Sequence, residues 1–203
     1  MNPRHRTWLI ALFVVAGCLL AGSLPAAETT VQTDARSIGL QGDGRTDDTD
    51  ALQKALDDGA CDIYFPEGTF LLGTVKVPAD THLRFSPRAA VRVNVSRLAA
   101  MQTLMTQKQE KYLFIVAGDN VTIDGLTIDF RLDGEGDQLI GRDAVHAFIY
   151  GVGISNLKVT NARAEKPERR ELIPLAERKR NGRYRGRTGH TLVFVEDCTD
   201  VTL

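Results

Sequence analysis

Three stretches of this chain can be written under one another without a gap: Tyr112 to Phe130 (YLFIVAGDNVTIDGLTIDF), Phe148 to Thr160 (FIYGVGISNLKVT) and Leu192 to Leu203 (LVFVEDCTDVTL). Leu113, Ile149 and Val193 each fall eight places before Val121, Leu157 and Val201. Each row alternates apolar and polar residues and is broken by Gly, Asn or Asp, the pattern of short strands joined by tight turns. Such a unit cannot bury its own apolar face. Stacked copies bury it against each other, so the repeat predicts a solenoid of short parallel strands. Strands in such a stack lie about 4.7–4.9 Å apart, which sets equal positions of successive rows directly over one another.

Two columns follow from that stacking. Asn120, Asn156 and Asp200 fall at the turn. Their side chains can bond the backbone or the next amide along the stack, and Asn tolerates the left-handed turn conformation, so the column is structural. Phe114, Tyr150 and Phe194 form an aromatic column at the opposite parity to Leu113, Ile149 and Val193. One of these two columns faces the core and the other faces out.

The rows are unevenly spaced because Arg131–Asp143 and Ala162–His190 intervene. Insertions in a solenoid emerge on one side and build the binding surface, so function is expected there. Ahead of the repeat, LQGDGRTDDTDALQKALDDG (Leu40 to Gly59) predicts a helix over Asp50–Asp58. Ala51, Leu52, Ala55 and Leu56 share one face, and Gly59 can stop the helix in the left-handed conformation. The open first coil of a solenoid needs a cover of this kind. Asp43, Asp47, Asp48 and Asp50 read as helix caps and favourable charge at the helix N-terminus, with Gly42 and Gly44 making a tight turn, rather than as a metal site.

GDGRTDDTDALQKALD, then DIYFPEGTFLLGTVKVPADTHLRF, then GDNVTIDGLTID resembles the N-terminal part of the pectate-lyase superfamily, in the branch that includes polygalacturonase-like hydrolases and phage tailspikes. The resemblance spans Thr33 to Phe130 and, more loosely, the two later rows. It implies an all-β fold: a right-handed parallel β-helix with a short N-terminal capping helix, and with Pro66, Glu67 and Gly68 turning between its first two strands. It also implies catalytic carboxylates or basic residues on outward positions of central coils. Hydrolases of the family pair Asp residues as acid and base, and lyases use calcium with an Arg or Lys base. The central part of this chain has no adjacent Asp-Asp pair and no Gly-His-Gly.

If Leu126, Ile128 and Phe130 point inward, Asp129 and Arg131 point outward at the start of the first insertion. Arg142, Asp143 and His146 close that insertion. Asp129, Asp143 and His146 are therefore the candidate catalytic residues, with Arg131 and Arg142 as saccharide ligands. The same register sets Glu110, His146 and His190 in one column. In the second insertion, the basic run from Lys166 to Arg187 offers Arg180 and Arg183 as forks for carboxylate or sulfate, and Tyr184 as a stacking face. Asp133, Glu135 and Asp137 alternate like the start of a calcium loop but lack its remainder, so calcium is the one cofactor the sequence admits and no metal ligand is assigned.

The N-terminus runs from basic MNPRHR through apolar TWLIALFVVAGCLLAG to SLPAAE, the order of a secretory signal over residues 1–27. Val15-Ala16-Gly17-Cys18 offers a second reading, a lipoprotein signal that would tether the protein to a membrane through Cys18. Export follows from either. A net charge of -1 gives no general attraction to nucleic acid. Cys61 and Cys198 read as two buried thiols. Asn94-Val95-Ser96 and Asn120-Val121-Thr122 match a glycosylation pattern by coincidence. Residues 33–203 are expected to be the N-terminal part of a β-helix domain that continues further. The expected function is an exported polysaccharide lyase or glycoside hydrolase acting on an acidic polysaccharide; a non-catalytic glycan-binding or surface-attachment β-helix is the alternative.

Overall fold

The computed structural model describes residues 31–102, 109–129, 145–165 and 191–203. Its strands are β1 (Thr33–Asp34), β2 (Asp43–Asp47), β3 (Asp62–Phe65), β4 (Gly68–Leu72), β5 (Val75–Val77), β6 (His82–Phe85), β7 (Ala89–Val93) and β8 (Ala100–Gln102). They continue as β9 (Gln109–Val116), β10 (Val121–Asp124), β11 (Thr127–Asp129), β12 (Ala147–Val152), β13 (Leu157–Thr160), β14 (Arg163–Glu165) and β15 (Thr191–Glu196). One α-helix, α1 (Thr49–Asp57), lies between β2 and β3.

The strands fall into three parallel sheets visited in rotation. The first runs β1-β3-β6-β10-β13, the second β2-β4-β7-β11-β14 and the third β5-β9-β12-β15, while β8 lies antiparallel on β9. This is the order of a three-sheet parallel β-helix. Inward residues stack coil on coil: Ile63, Leu83, Ile123 and Val159 in the first sheet, Phe70, Val91 and Ile128 in the second, and Val75, Phe114, Ile149 and Val193 in the third. Nearly all are fully buried, each contributing about 1.5–3 kcal/mol relative to exposure. Gly125 turns the chain from the first sheet to the second with φ 77, and a Cβ there would stand 2.4 Å from the Phe85 carbonyl oxygen.

In the first coil α1 takes the place of a third-sheet strand and packs on β5. Leu52, Ala55 and Leu56 are buried as expected, the half-buried Ala51 packs against the same core, and Thr49 is buried with them. The Gln53 carboxamide stands in for a neighbouring strand: the Lys76 N–H donates to its Oε1 at 2.8 Å, and its Nε2 donates to the Lys76 carbonyl at 3.2 Å. An open sheet edge is thereby closed. Gly59, at φ 95, ends the helix.

The acidic opening is scaffolding, with its roles redistributed. Asp48 precedes the helix but does not cap it; its carboxylate accepts from the N–H groups of Gln41 (2.7 Å) and Gly42 (3.1 Å) and pins the preceding loop. Asp47 caps instead, accepting from the Thr49 N–H at 3.0 Å, and Asp43 accepts from Arg45 and Thr46 at 2.8 and 2.7 Å. Arg97 ties Asp47 and Asp50 to the next coil.

The turn column extends one coil further than the repeat showed. Asp80, Asn120, Asn156 and Asp200 all adopt the left-handed conformation, at φ 56, 60, 57 and 53. The Asn120 amide donates to Asp80 Oδ1 at 2.8 Å, and the Asn156 amide to Asn120 Oδ1 at 3.0 Å. The aromatic column needs a correction. Tyr150 and Phe194 pair in register as the ungapped rows require, but Phe114 pairs with Ile149 and enters the core. The cause is one residue fewer in the turn after β9, since Val116 pairs with Gly151 whereas Val121 pairs with Leu157. Tyr112 supplies the third ring. Cys61 and Cys198 are free thiols and half-buried rather than buried.

Candidate functional site

The three corners of the coil differ in how their connections vary. After the first coil, where residues 35–42 join β1 to β2, the chain passes from first sheet to second in residues 66–67, 86–88, 125–126 and 161–162, and from third to first in 78–81, 117–120, 153–156 and 197–200. From second to third the connection is 73–74 in the early coil, then 94–99 into the β8 and β9 pair, then 130–146, then 166–190. The described ends of the two long connections thus lie at one corner, while Arg163–Glu165, expected within the second insertion, form the second-sheet strand β14.

Asp129 and His146 flank the 130–144 segment at that corner. Asp129 lies over Arg92 in register and is paired with it, Arg92 Nη2 and Nε donating to Oδ2 at 2.9 and 3.3 Å. The Arg92 guanidinium also donates to the Gly44 carbonyl at 3.0 Å. The pair is largely closed to solvent, with side-chain exposures of 18% and 8%. Outward-facing residues buried to this degree on the second sheet make Asp129 a charge-matched group.

His146 stands at the entry to β12, its N–H donating to the Lys111 carbonyl at 2.8 Å. Its Nδ1 is 3.4 Å from Glu110 Oε2, and both side chains remain partly open, at 31% and 26%. The imidazole meets Tyr112 and Phe194 edge-on, at centroid distances of 5.8 and 5.2 Å. Behind it the rings of Tyr112 and Tyr150 stack at 4.2 Å, and those of Tyr150 and Phe194 at 6.0 Å. The Tyr150 hydroxyl donates to the buried Glu196 carboxylate at 2.6 Å. Burial first, and then that carboxylate, push the Tyr150 phenol well above its ordinary range. Burial, with Glu110 and Glu196 nearby, pushes Tyr112 up to about 12. Its hydroxyl is buried and has no partner among the described residues.

The same cluster borders a groove. Met101, Ile115 and Val152 pack on the aromatic rings and also line an open groove of about 710 Å³ that reaches Lys76, Asp80 and Asp119. Along the outer face Lys76, Ile115, Tyr150 and Phe194 stand in one register. Asp80 Oδ1 accepts from the Asn120 amide at 2.8 Å and Asp119 Oδ1 from the Ser155 N–H at 2.7 Å; both carboxylates and Lys76 are exposed, so the groove presents charges of both signs.

Of the residues read from sequence, Asp129 and His146 are placed at the corner. Asp143, Arg131, Arg142, Arg180, Arg183, Tyr184, the acidic run at 133–137 and Cys18 lie outside the described residues. Among the described residues no group of three or more His, Cys, Asp and Glu is arranged to hold a metal, and no helix is long and apolar enough to cross a membrane. Lys76, Arg92, Tyr112 and Glu196 were missed. Gly118 and Gly153 carry the missing signal: aligning them brings in the one-residue gap and sets the two strands in their true register.

The family described as rhamnogalacturonase A/epimerase, pectate lyase-like, matches residues 32–83, the capped first coils. The fold agrees over a longer span. A structure of a candidate glycosyl hydrolase from Parabacteroides merdae superposes with a TM-score of 0.56 at 14% identity, covering 84% of this chain and 75% of that one. Residues 32–83 are thus pectate-lyase-like in sequence, and over the longer span the likeness is one of fold. Two other likenesses are partial. "Probable glucan endo-1,3-beta-glucosidase" of Arthroderma benhamiae is 48% identical over 46 residues, which is 21% of this chain and 5% of that protein. PfbA, a surface adhesin of Streptococcus pneumoniae, gives a TM-score of 0.49 at 21% identity, covering 66% of this chain and 33% of that one. The chain therefore spans a small part of the curated relative it matches.

Proposed function

We propose that this chain is part of an exported carbohydrate-active enzyme, a polysaccharide lyase or glycoside hydrolase acting on an acidic polysaccharide, with the sugar chain lying along the outer face of the third sheet. One observation carries the reading: the His146 and Glu110 pair and the 710 Å³ groove border the same aromatic cluster, on the sheet that the 130–146 and 166–190 connections enter. A polar groove beside an apolar wall suits a sugar ring, which has both hydroxyls and an apolar face. Lys76 supplies an ammonium for a carboxylate or sulfate, and a partly open imidazole can move a proton. The glycosidase-type relatives support the same class. The buried pairing of Asp129 with Arg92 favours a second reading, a non-catalytic glycan-binding β-helix, because it leaves that carboxylate committed. Export follows from residues 1–27, by cleavage there or by lipidation at Cys18.

Incubation with polygalacturonate, alginate and carrageenan, read by reducing ends and by the ultraviolet absorbance of unsaturated ends, tests this. Cleavage of one of them, lowered about 10²–10⁴-fold by His146→Ala, is expected. Retention of glycan without product would favour the binding reading, and neither cleavage nor retention would overturn both.

A further inference from the structure

We infer that Glu110 is a positioning residue that keeps the proton of the His146 imidazole on Nδ1 and leaves Nε2 as the atom that accepts a proton from substrate. The inference rests on the reading of this face as the saccharide site. Glu110 Oε2 stands 3.4 Å from Nδ1 and points there from β9, where Glu110 pairs with Met101 in the antiparallel β8 and β9 ladder. Two rings orient the imidazole, Tyr112 and Phe194 meeting it edge-on at 5.8 and 5.2 Å, while the backbone N–H of His146 donates to the Lys111 carbonyl. Nε2 has no hydrogen-bond partner among the described residues, and the side chain is 31% exposed. A carboxylate on one ring nitrogen selects which nitrogen carries the proton.

The step is a plain proton transfer. An N–H bond forms at Nε2 as a C–H bond beside a uronate carboxylate, or an O–H bond of water, breaks. The electron pair stays on the substrate carbon or oxygen, and the imidazolium so formed faces the Glu110 carboxylate. A base held by a third group in this way is a recurring catalytic arrangement.

The test reads the imidazole nitrogens of the full chain by ¹⁵N NMR, with His146→Ala assigning the signal, beside kcat and KM on a cleaved polysaccharide. In the parent protein Nδ1 carries the proton. Glu110→Ala shifts protonation to Nε2 and lowers kcat about 10-fold or more with KM little changed, while Glu110→Gln, which still offers an oxygen acceptor, retains the tautomer and part of the rate. An unchanged tautomer in Glu110→Ala would overturn the inference whatever the rate. A shifted tautomer in a protein that cleaves no polysaccharide would uphold the positioning by Glu110 and remove the enzymatic reading.

Discussion

Two corners of the same coil show how this chain divides its labour. Between the third sheet and the first, every turn is short and places Asp80, Asn120, Asn156 or Asp200 in the left-handed conformation at the same point. Their side chains and backbone amides bond along the stack, so each coil holds its neighbour. Between the second sheet and the third the connections change from coil to coil, and the groups at their ends, Asp129, Glu110 and His146, do not repeat. Repetition marks scaffold because each copy must solve the same packing problem. Departure from repetition marks the place where sequence is free to serve chemistry.

Mutating the two corners should separate them. Asn120→Ala loses the bonds to Asp80 and Asn156 and puts a Cβ-bearing residue without a polar side chain at φ 60, which should cost about 2–3 kcal/mol in denaturant unfolding. His146→Ala, at the half-open corner, should cost under about 1 kcal/mol. Equal costs would dissolve the distinction. The buried tyrosines sharpen it within the third sheet. Tyr150→Phe leaves the Glu196 carboxylate without its phenol donor and should destabilise by about 1–3 kcal/mol, whereas Tyr112→Phe removes a hydroxyl that has no described partner and should be neutral or stabilising.

The smallest effect is one of pH. His82 lies on the outer face of the first sheet, and burial, then Arg84, lower its pKa below 6.5. The fold therefore prefers the neutral imidazole. Its contribution is present above about pH 6.5 and is lost as pH falls through the lowered folded value. His82→Gln should flatten the fall in unfolding free energy between about pH 7 and pH 5, read by denaturant titration at each pH.

Much of the fold was legible because its rules are local and repeated. The three rows, the Asn120 and Asn156 turns, the helix with its Gly59 stop and the shared corner of the two long connections all follow from period-two alternation and turn chemistry. The ring column was misread because one residue is missing from a turn, and a single-residue slip exchanges neighbours along a strand. Site residues were harder. Asp129 and His146 could be named from parity and position, but Arg92 and Lys76 come from other coils, and nothing in a linear pattern brings them together. Tyr112 looks like an ordinary strand residue in the sequence; only the fold stacks its ring on that of Tyr150.

The central claim is that sugar lies on the outer face of the third sheet, and it is tested most directly by titrating the isotopically labelled chain with acidic oligosaccharides and following backbone amide shifts. The account predicts shifts that cluster at Lys76, Glu110, Ile115, His146 and Val152, with the Asp80 to Asp200 turns and the outer face of the first sheet little changed. Shifts confined to the first sheet around His82, Arg84 and Lys158, with none at Glu110 or His146, would contradict it.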